Sequence, residues 1–164
     1  MTPRTLDERP SEMVFPDPNL ALWPSVPDLE RKITATTRGF EDEPLAMRLG
    51  YTKALPFAVY MLIKIQGERD ENSVCWIVSR DVIAGAALDG RTAGDGDFWA
   101  TPYDRKSTMF NFSSPEGRLT VTVSTSQLSR FLLRSLALVP VVDESDAFDV
   151  DRLIARFYSN GQSR

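Results

Sequence analysis

The side chains that most often carry out catalysis are scarce in this chain. None of its 164 residues is a histidine, which excludes Ser-His-Asp and Cys-His catalysis and removes the commonest metal ligand. The single cysteine, Cys75, excludes an internal disulfide and a zinc site built from several thiolates. Cys75 also lies in an apolar stretch, which is typical of an inert core thiol. We therefore predict no catalytic residue and no enzyme activity.

Two patterns that contain glycine or aspartate resemble ligand sites, one for phosphate and one for a cation. Gly94-x-Gly96 resembles part of a phosphate-binding loop, but it lacks the Gly-Lys-Ser/Thr that follows and does not open a helix. A turn is therefore the favoured interpretation. Asp95, Asp97 and Asp104 lack the spacing and the terminal glutamate of an EF-hand, which favours solvated turn acids over a cation site. We predict no metal and no cofactor.

A third pattern sets aromatic residues beside basic ones. Asp104-Arg-Lys106 follows Tyr103 and precedes Phe110 and Phe112, an arrangement that can stack the bases of a single strand. The favoured alternative is a half-buried strand next to a charged turn. The net charge of −4 also argues weakly against a dedicated nucleic-acid binder.

The first residues differ in composition from the rest of the chain. Residues 1–30 hold six of the eleven prolines and carry the whole net negative charge, with two basic and six acidic side chains, whereas residues 31–164 are balanced. Prolines oppose both helix interiors and central strands. We predict that residues 1–31 form a proline-rich acidic extension, and that residues 32–160 form the folded domain.

The extension contains an apolar island, Met13-Val-Phe15 and Leu20-Ala-Leu-Trp23, set among prolines. Three interpretations are open. The island lies on its own domain, or it remains disordered, or it is a linear motif that docks on a partner. The candidate docking residues are Phe15, Leu20, Leu22 and Trp23.

Residues 73–88 form the centre of the predicted organisation, where a strand passes directly into a helix. Val74, Trp76 and Val78 alternate with their neighbours, which predicts a strand buried on at least one face. The apolar residues from Val82 to Ala87 then follow helical spacing. Ser79 is the expected N-cap and Asp81 lies in the first turn, where negative charge is favourable.

Apolar alternation predicts further strands over 33–38, 45–51, 57–65, 98–101, 108–112 and 119–123. Strand 33–38 alternates weakly and is expected at a sheet edge, whereas strand 57–65 is apolar on both faces and is expected to be covered on both. Ser124-Thr-Ser-Gln127 resembles a capping box, and Asp149 is expected to cap a last helix. The sequence predicts an α+β fold: a mainly antiparallel sheet of about seven strands, two strand–helix halves and C-terminal helices.

Trp76-Ile-Val-Ser-Arg-Asp-Val-Ile83, followed by Gly94-Asp-Gly-Asp97, resembles the signature of the SsgA-like proteins, which regulate sporulation and cell division in filamentous actinobacteria. The signature residues are Trp76, Arg80, Asp81, Gly94 and Gly96. Further matches follow in the family's order: Ser113-Ser-Pro-Glu-Gly117, Leu128 with Phe131-Leu132, Val139-Pro140 and Asp149-Val-Asp-Arg-Leu153. The extension is not part of the family pattern.

The resemblance implies a Whirly-like fold, a homotrimer and a role in placing septa. Founding family members localise to division sites and help to recruit the tubulin-like protein FtsZ. The implied function is a non-enzymatic regulator of sporulation-specific division, located in the cytoplasm at septa, with FtsZ or another SsgA-like protein as partner. The alternative is a Whirly-like module that binds single-stranded nucleic acid, which the charge balance disfavours. A membrane-spanning helix needs a run of about 18 apolar residues. The sequence contains no such run, so we predict no membrane span.

Overall fold

The computed structural model describes residues 22–39 and 42–141. Within them, eight strands and two helices follow in this order: β1 (Leu29–Thr37), β2 (Pro44–Tyr51), β3 (Ala58–Ile65), β4 (Val74–Ser79), α1 (Arg80–Ala87), β5 (Ala93–Asp95), β6 (Phe98–Pro102), β7 (Ser107–Ser114), β8 (Gly117–Ser124) and α2 (Thr125–Leu138). The α+β class and the mainly antiparallel sheet are confirmed.

The described strands form one sheet with the order β4-β3-β2-β1-β8-β7-β6-β5. Each half of the chain is an antiparallel meander that ends in a helix, β1–β4 before α1 and β5–β8 before α2. The two meanders join where β1 pairs with β8, over Ala35–Thr37. The predicted strand–helix halves are therefore confirmed.

Two details of the sheet correct the prediction. The strand expected at an edge over 33–38 is β1, which lies between β2 and β8. Its alternation is weak after Ile33 because Thr34 and Thr36 face outward while the inward residue between them, Ala35, is small. The short strand β5 falls in the glycine-rich stretch for which the sequence predicts a turn. With β5 included, the sheet has eight strands rather than about seven. The helix expected from Asp149, and the domain end at 160, lie outside the described residues.

The core lies between the inner face of the sheet and the two helices. The inward residues of β2 and β3 are buried as their alternation predicts, except Ile65 at the end of β3, which is 48% exposed. Ile83, Leu128, Phe131 and Leu132 of the helices pack in the same cluster. The sheet curls strongly. The ring centroid of Trp76 on β4 lies 4.9 Å from that of Phe112 on β7, although four strands separate β4 from β7 in the sheet order.

Candidate partner-docking site

Arg80, the signature arginine, is buried in the first turn of α1 with 1% of its surface exposed. Its Nη1 donates to the Tyr51 hydroxyl at 3.0 Å and to the Ser135 carbonyl oxygen at 3.1 Å. The Tyr51 hydroxyl in turn donates to the Pro56 carbonyl oxygen at 3.0 Å. A buried charge is tolerated only where hydrogen bonds satisfy it, so this network joins β2, α1 and α2 and makes Arg80 part of the core.

The start of α1 follows the predicted capping pattern. The Ser79 Oγ accepts a hydrogen bond from the Val82 N–H at 3.4 Å, which confirms Ser79 as the N-cap. Asp81 is exposed in the first turn, where the helix dipole favours a carboxylate.

The two signature glycines shape the hairpin between β5 and β6. Gly94 has φ +146°, and a Cβ there would overlap the Phe98 carbonyl oxygen and lie 2.6 Å from the Trp99 Cα. Gly96 has φ +67°, in the left-handed region that glycine adopts without strain. Gly94 lies in β5 and Gly96 in the tight turn between β5 and β6, so Gly94-x-Gly96 is part of a β-hairpin and opens no helix.

Trp76 links β4, at one end of the curled sheet, to β7. Its half-buried ring packs against Phe112, and it shares the inner face of β4 with Val74 and Val78, as predicted. Val78 is buried, but Val74 is 42% exposed because β4 lies at the end of the sheet. Among the described strands, none pairs with the outer side of β4, and an unpaired strand edge is a template for another chain.

A cleft of about 690 Å³ separates β4 from the hairpin between β7 and β8. Its lining includes Leu22, Val74, Trp76, Ile77, Phe112 and Leu119. Leu22 is 47% exposed, and Val74 and Ile77 are each 42% exposed. We call the outer side of β4 together with this cleft the β4 edge. It combines an open strand edge with exposed apolar side chains.

Cys75 also lines this cleft, but the buried thiol is poorly suited to chemistry. Its residue is 4% exposed, and burial raises the pKa of the thiol from 9.0 to about 11. The thiol is therefore protonated at neutral pH, whereas a nucleophile or metal ligand must be a thiolate. The interpretation as an inert core thiol is confirmed.

The end of the extension crosses the outer face of the sheet. Leu22 lines the cleft at β4, and the Trp23 ring lies over β2 and β3, so close to Gly50 that a Cβ there would approach it to 2.8 Å. The Trp23 ring centroid is 6.5 Å from that of Tyr60. Residues 22–28 thus run from the β4 edge towards β1, which begins at Leu29, inside the range expected for the extension.

The four predicted docking residues are placed unequally. Trp23 is half-buried on its own sheet, with the Arg48 guanidinium carbon 5.6 Å from its ring centroid, and Leu22 is exposed at the cleft. Phe15 and Leu20 lie outside the described residues. Sequence reasoning missed the β4 edge itself, since the order of strands in a sheet has no local signal.

Basic side chains also gather on the outer face of β1, β2 and β3. Lys32, Arg48 and Lys64 line a groove of about 680 Å³. Arg48 pairs with Glu30 at 2.9 Å and Lys64 with Asp70 at 2.7 Å. The hydrogen bond from the Lys64 ammonium lowers the pKa of the Asp70 carboxyl. Two of the three cations are therefore compensated by carboxylates.

The aromatic pattern considered for base stacking is largely internal. Phe110 and Phe112 are 0% and 2% exposed in the core. They are therefore not accessible for stacking on nucleic-acid bases, and the hypothesis that they stack in this way is wrong. Both face inward because they alternate with Met109 and Asn111 along β7. Tyr103 is exposed, and the Arg38 guanidinium carbon lies 5.2 Å from its ring centroid.

Within residues 22–39 and 42–141, no three His, Cys, Asp or Glu side chains are placed to hold a metal ion. Neither helix described there has the length and apolar character needed to cross a bilayer.

Comparison with known proteins gives a consistent result. The family profile described as Streptomyces sporulation and cell division protein SsgA matches residues 45–144, which include every signature residue. The sporulation-specific cell division protein SsgB of Thermobifida fusca is 34% identical over 119 residues, covering 71% of this chain and 83% of the relative.

Two solved structures share the fold. One comes from work on SsgB mutations that correlate with longitudinal cell division during sporulation of Streptomyces coelicolor. It aligns with a TM-score of 0.65 at 26% identity and covers 73% of this chain and 94% of the other. The crystal structure of an SsgA-like sporulation-specific cell division protein from Thermobifida fusca aligns with a TM-score of 0.64 at 27% identity, covering 82% and 99%.

Proposed function

The chain belongs to the SsgA family, and from that membership we propose that it regulates sporulation-specific cell division by binding proteins of the septation machinery, without turnover of a substrate. The matched family profile and the SsgB relative both carry sporulation and cell division in their descriptions. The work on Streptomyces coelicolor SsgB connects that protein with the direction of division, which supports a role in placing septa here.

The observation that carries the proposal is the β4 edge. Exposed Leu22, Val74 and Ile77 surround an open strand edge and an apolar cleft. Natural proteins usually protect such edges, because an unpaired strand is a template for another chain. An extended partner segment would pair with the β4 backbone while its apolar side chains enter the cleft.

The signature residues support a binding role in a different way. Arg80 is buried among hydrogen-bond acceptors, and Gly94 permits close packing in the β5–β6 hairpin. These residues maintain the shape of the domain, which leaves the exposed surface to determine function. The extension contributes to that surface through Phe15, Leu20, Leu22 and Trp23, with Trp23 anchoring it to the sheet.

Self-association and location belong to the same proposal. The outer face of β3, which is apolar in sequence, is buried within a single chain at Ala58 and Leu62. We assign the β4 edge to the division partner, and the homotrimer that the family resemblance implies leaves this edge free. The partner is FtsZ or another SsgA-like protein, and the site of action is the division septum in the cytoplasm.

Binding of single-stranded nucleic acid is less well supported. It would require a continuous basic stripe or a stacking platform. Two cations of the outer groove are ion-paired, and Phe110 and Phe112 are buried. The balanced charge of residues 31–164 adds to this argument.

Affinity capture from sporulating cells, with mass spectrometry, tests the proposal. The full-length protein is compared with the double variant Val74→Glu/Ile77→Glu and with Tyr103→Glu, which changes an exposed aromatic residue away from the β4 edge. We expect FtsZ or an SsgA-like protein to be enriched by the unsubstituted protein and by Tyr103→Glu, and to be lost with the double variant.

A gel shift with single-stranded DNA at moderate salt completes the test. Affinity below micromolar, tighter than the ordinary non-specific range of about 10⁻⁴–10⁻⁶ M, would replace the proposal by the nucleic-acid function. Equal enrichment of division proteins by all three forms would show that the β4 edge is not the docking surface.

A further inference from the structure

The path of residues 22–28 determines where the rest of the extension begins. Asp28 donates its N–H to the Tyr51 carbonyl oxygen at 2.9 Å beside β1, Trp23 lies over β2 and β3, and Leu22 lines the cleft at β4. Followed backwards, the chain crosses the sheet and reaches its open edge. Leu22, to which residues 1–21 are joined, therefore lies at an exposed apolar cleft.

The residues just before Leu22 have the composition that such a cleft accepts. Met13, Val14, Phe15 and Leu20 are apolar, and prolines at 16 and 18 favour an extended backbone. Proline is also tolerated beside an edge strand, where a missing N–H costs no pairing on the solvent side. The cleft volume of about 690 Å³ lies within the range of about 300–1,000 Å³ that is usual for pockets occupied by ligands.

The length of this segment also fits. An extended chain spans about 3.3 Å per residue, so the nine residues from 13 to 21 reach about 30 Å. The six residues of β4 extend only about 20 Å. Phe15 can thus reach the full length of the β4 edge from the position of Leu22.

We infer that residues 13–21 fold back on their own chain and cover the β4 edge, with Phe15 and Leu20 in the cleft. The segment shields Val74 and Ile77 until another protein displaces it. This arrangement concerns the isolated protein, and only its consequence, competition between the segment and a division partner, rests on the proposed function.

Photo-crosslinking of the purified full-length chain tests this inference. Phe15→p-benzoylphenylalanine places a reactive ketone in the segment, and Leu6→p-benzoylphenylalanine is the matched control outside the apolar island. After irradiation, mass spectrometry is expected to locate the crosslink from position 15 within residues 74–77 or 112–119 of the same chain. The control is expected to give no crosslink concentrated there.

Two results of this experiment would overturn the inference. A crosslink from position 15 into a second copy, seen as a covalent dimer, would make the neighbouring chain the occupant of the cleft. Crosslinks scattered over the surface, or found mainly on another element, would leave the cleft without this segment. Because the sample contains no partner, either result leaves the proposed function untouched.

The labelling rate of a cysteine placed at position 74 provides a second readout. Val74 is 42% exposed and lines the cleft, and Cys75→Ala removes the one native thiol. If the segment covers the cleft about nine-tenths of the time, adding Phe15→Ser/Leu20→Ser to Val74→Cys/Cys75→Ala should raise the rate of maleimide labelling roughly tenfold. Adding Leu6→Ser instead should leave the rate unchanged. Equal rates in all forms, with unchanged melting temperatures, would contradict the inference.

Discussion

Arg80 carries its charge into the interior of the domain, where Tyr51 and Ser135 accept its hydrogen bonds. Desolvation of a guanidinium is costly, and the acceptors around it are arranged to offset that cost. The same acceptors would lose their donor if the arginine were removed. The stability of the junction between β2, α1 and α2 therefore depends on this one side chain.

Replacing Arg80 by methionine should lower the free energy of unfolding by about 1–3 kcal/mol, because the buried Tyr51 hydroxyl and Ser135 carbonyl lose a donor. Arg130→Met, at an exposed position of α2, should change it by less than about 0.5 kcal/mol. Urea unfolding followed by tryptophan fluorescence measures both. Equal midpoints for the two variants would show that the network contributes little.

Cys75 gives the domain a pH dependence in the alkaline range. Burial raises the pKa of the thiol from 9.0 to about 11, so between these values the unfolded chain loses a proton that the folded chain keeps. The contribution of the thiol to stability is complete below pH 9 and declines as the pH rises towards 11.

Urea unfolding at a series of pH values measures this decline. The unsubstituted protein should lose stability more steeply between pH 9 and 11 than Cys75→Ala, in which only tyrosines, lysines and the other common groups titrate. Parallel curves for the two proteins would mean that the thiol is not protected from water in the folded state.

At the scale of elements, Gly94 and Gly96 meet different requirements of the β5–β6 hairpin. Gly94 lies against the backbone of Phe98 and Trp99, whereas no atom lies within 4 Å of the position a Cβ would take at Gly96. The first glycine meets a requirement for space and for positive φ, and the second a requirement for positive φ alone.

This difference predicts unequal effects of substitution. Gly94→Ala should destabilise the domain by about 2 kcal/mol or more, through strain and overlap with the neighbouring strand. Gly96→Asn should cost less than about 1 kcal/mol, since asparagine adopts the left-handed conformation readily. Calorimetric melting temperatures compare the two. A larger loss for Gly96→Asn would contradict this account of the hairpin.

Other element-scale features were predictable only in part. The buried inward face of β2 follows from a period of two and is predicted by the sequence, as is the covering of both faces of β3, where outward Ala58 and Leu62 are also buried. Only one of the two hydrogen bonds of the predicted capping box is present. The Ser124 Oγ accepts from the Gln127 N–H, but the Gln127 side chain turns away to accept from the Thr34 N–H at 2.6 Å. That bond joins residues distant in sequence, and no local pattern indicates it.

At the scale of the whole molecule, strand order decides what is exposed. Sequence periodicity identifies strands and their faces, but it does not show that β1 pairs with β8 in the centre or that β4 lies at an end. The prolines and aromatic residues of the extension are a local signal that the sequence shows. The position of Trp23 over Gly50 depends on how the sheet folds, so the sequence does not predict it. The candidate site arises from these long-range arrangements.

The central claim is that the protein acts in septation through the β4 edge. It is tested most directly by septum formation in sporulating hyphae in which the gene for this protein is replaced by tagged variants. The unsubstituted protein and Tyr103→Glu should localise to division sites and support regular septa. Val74→Glu/Ile77→Glu should remain diffuse and give misplaced or missing septa, while the purified variant melts within a few degrees of the unsubstituted protein, a shift of about 1 kcal/mol or less. Normal localisation and septation with the double variant would contradict a function exerted through the β4 edge.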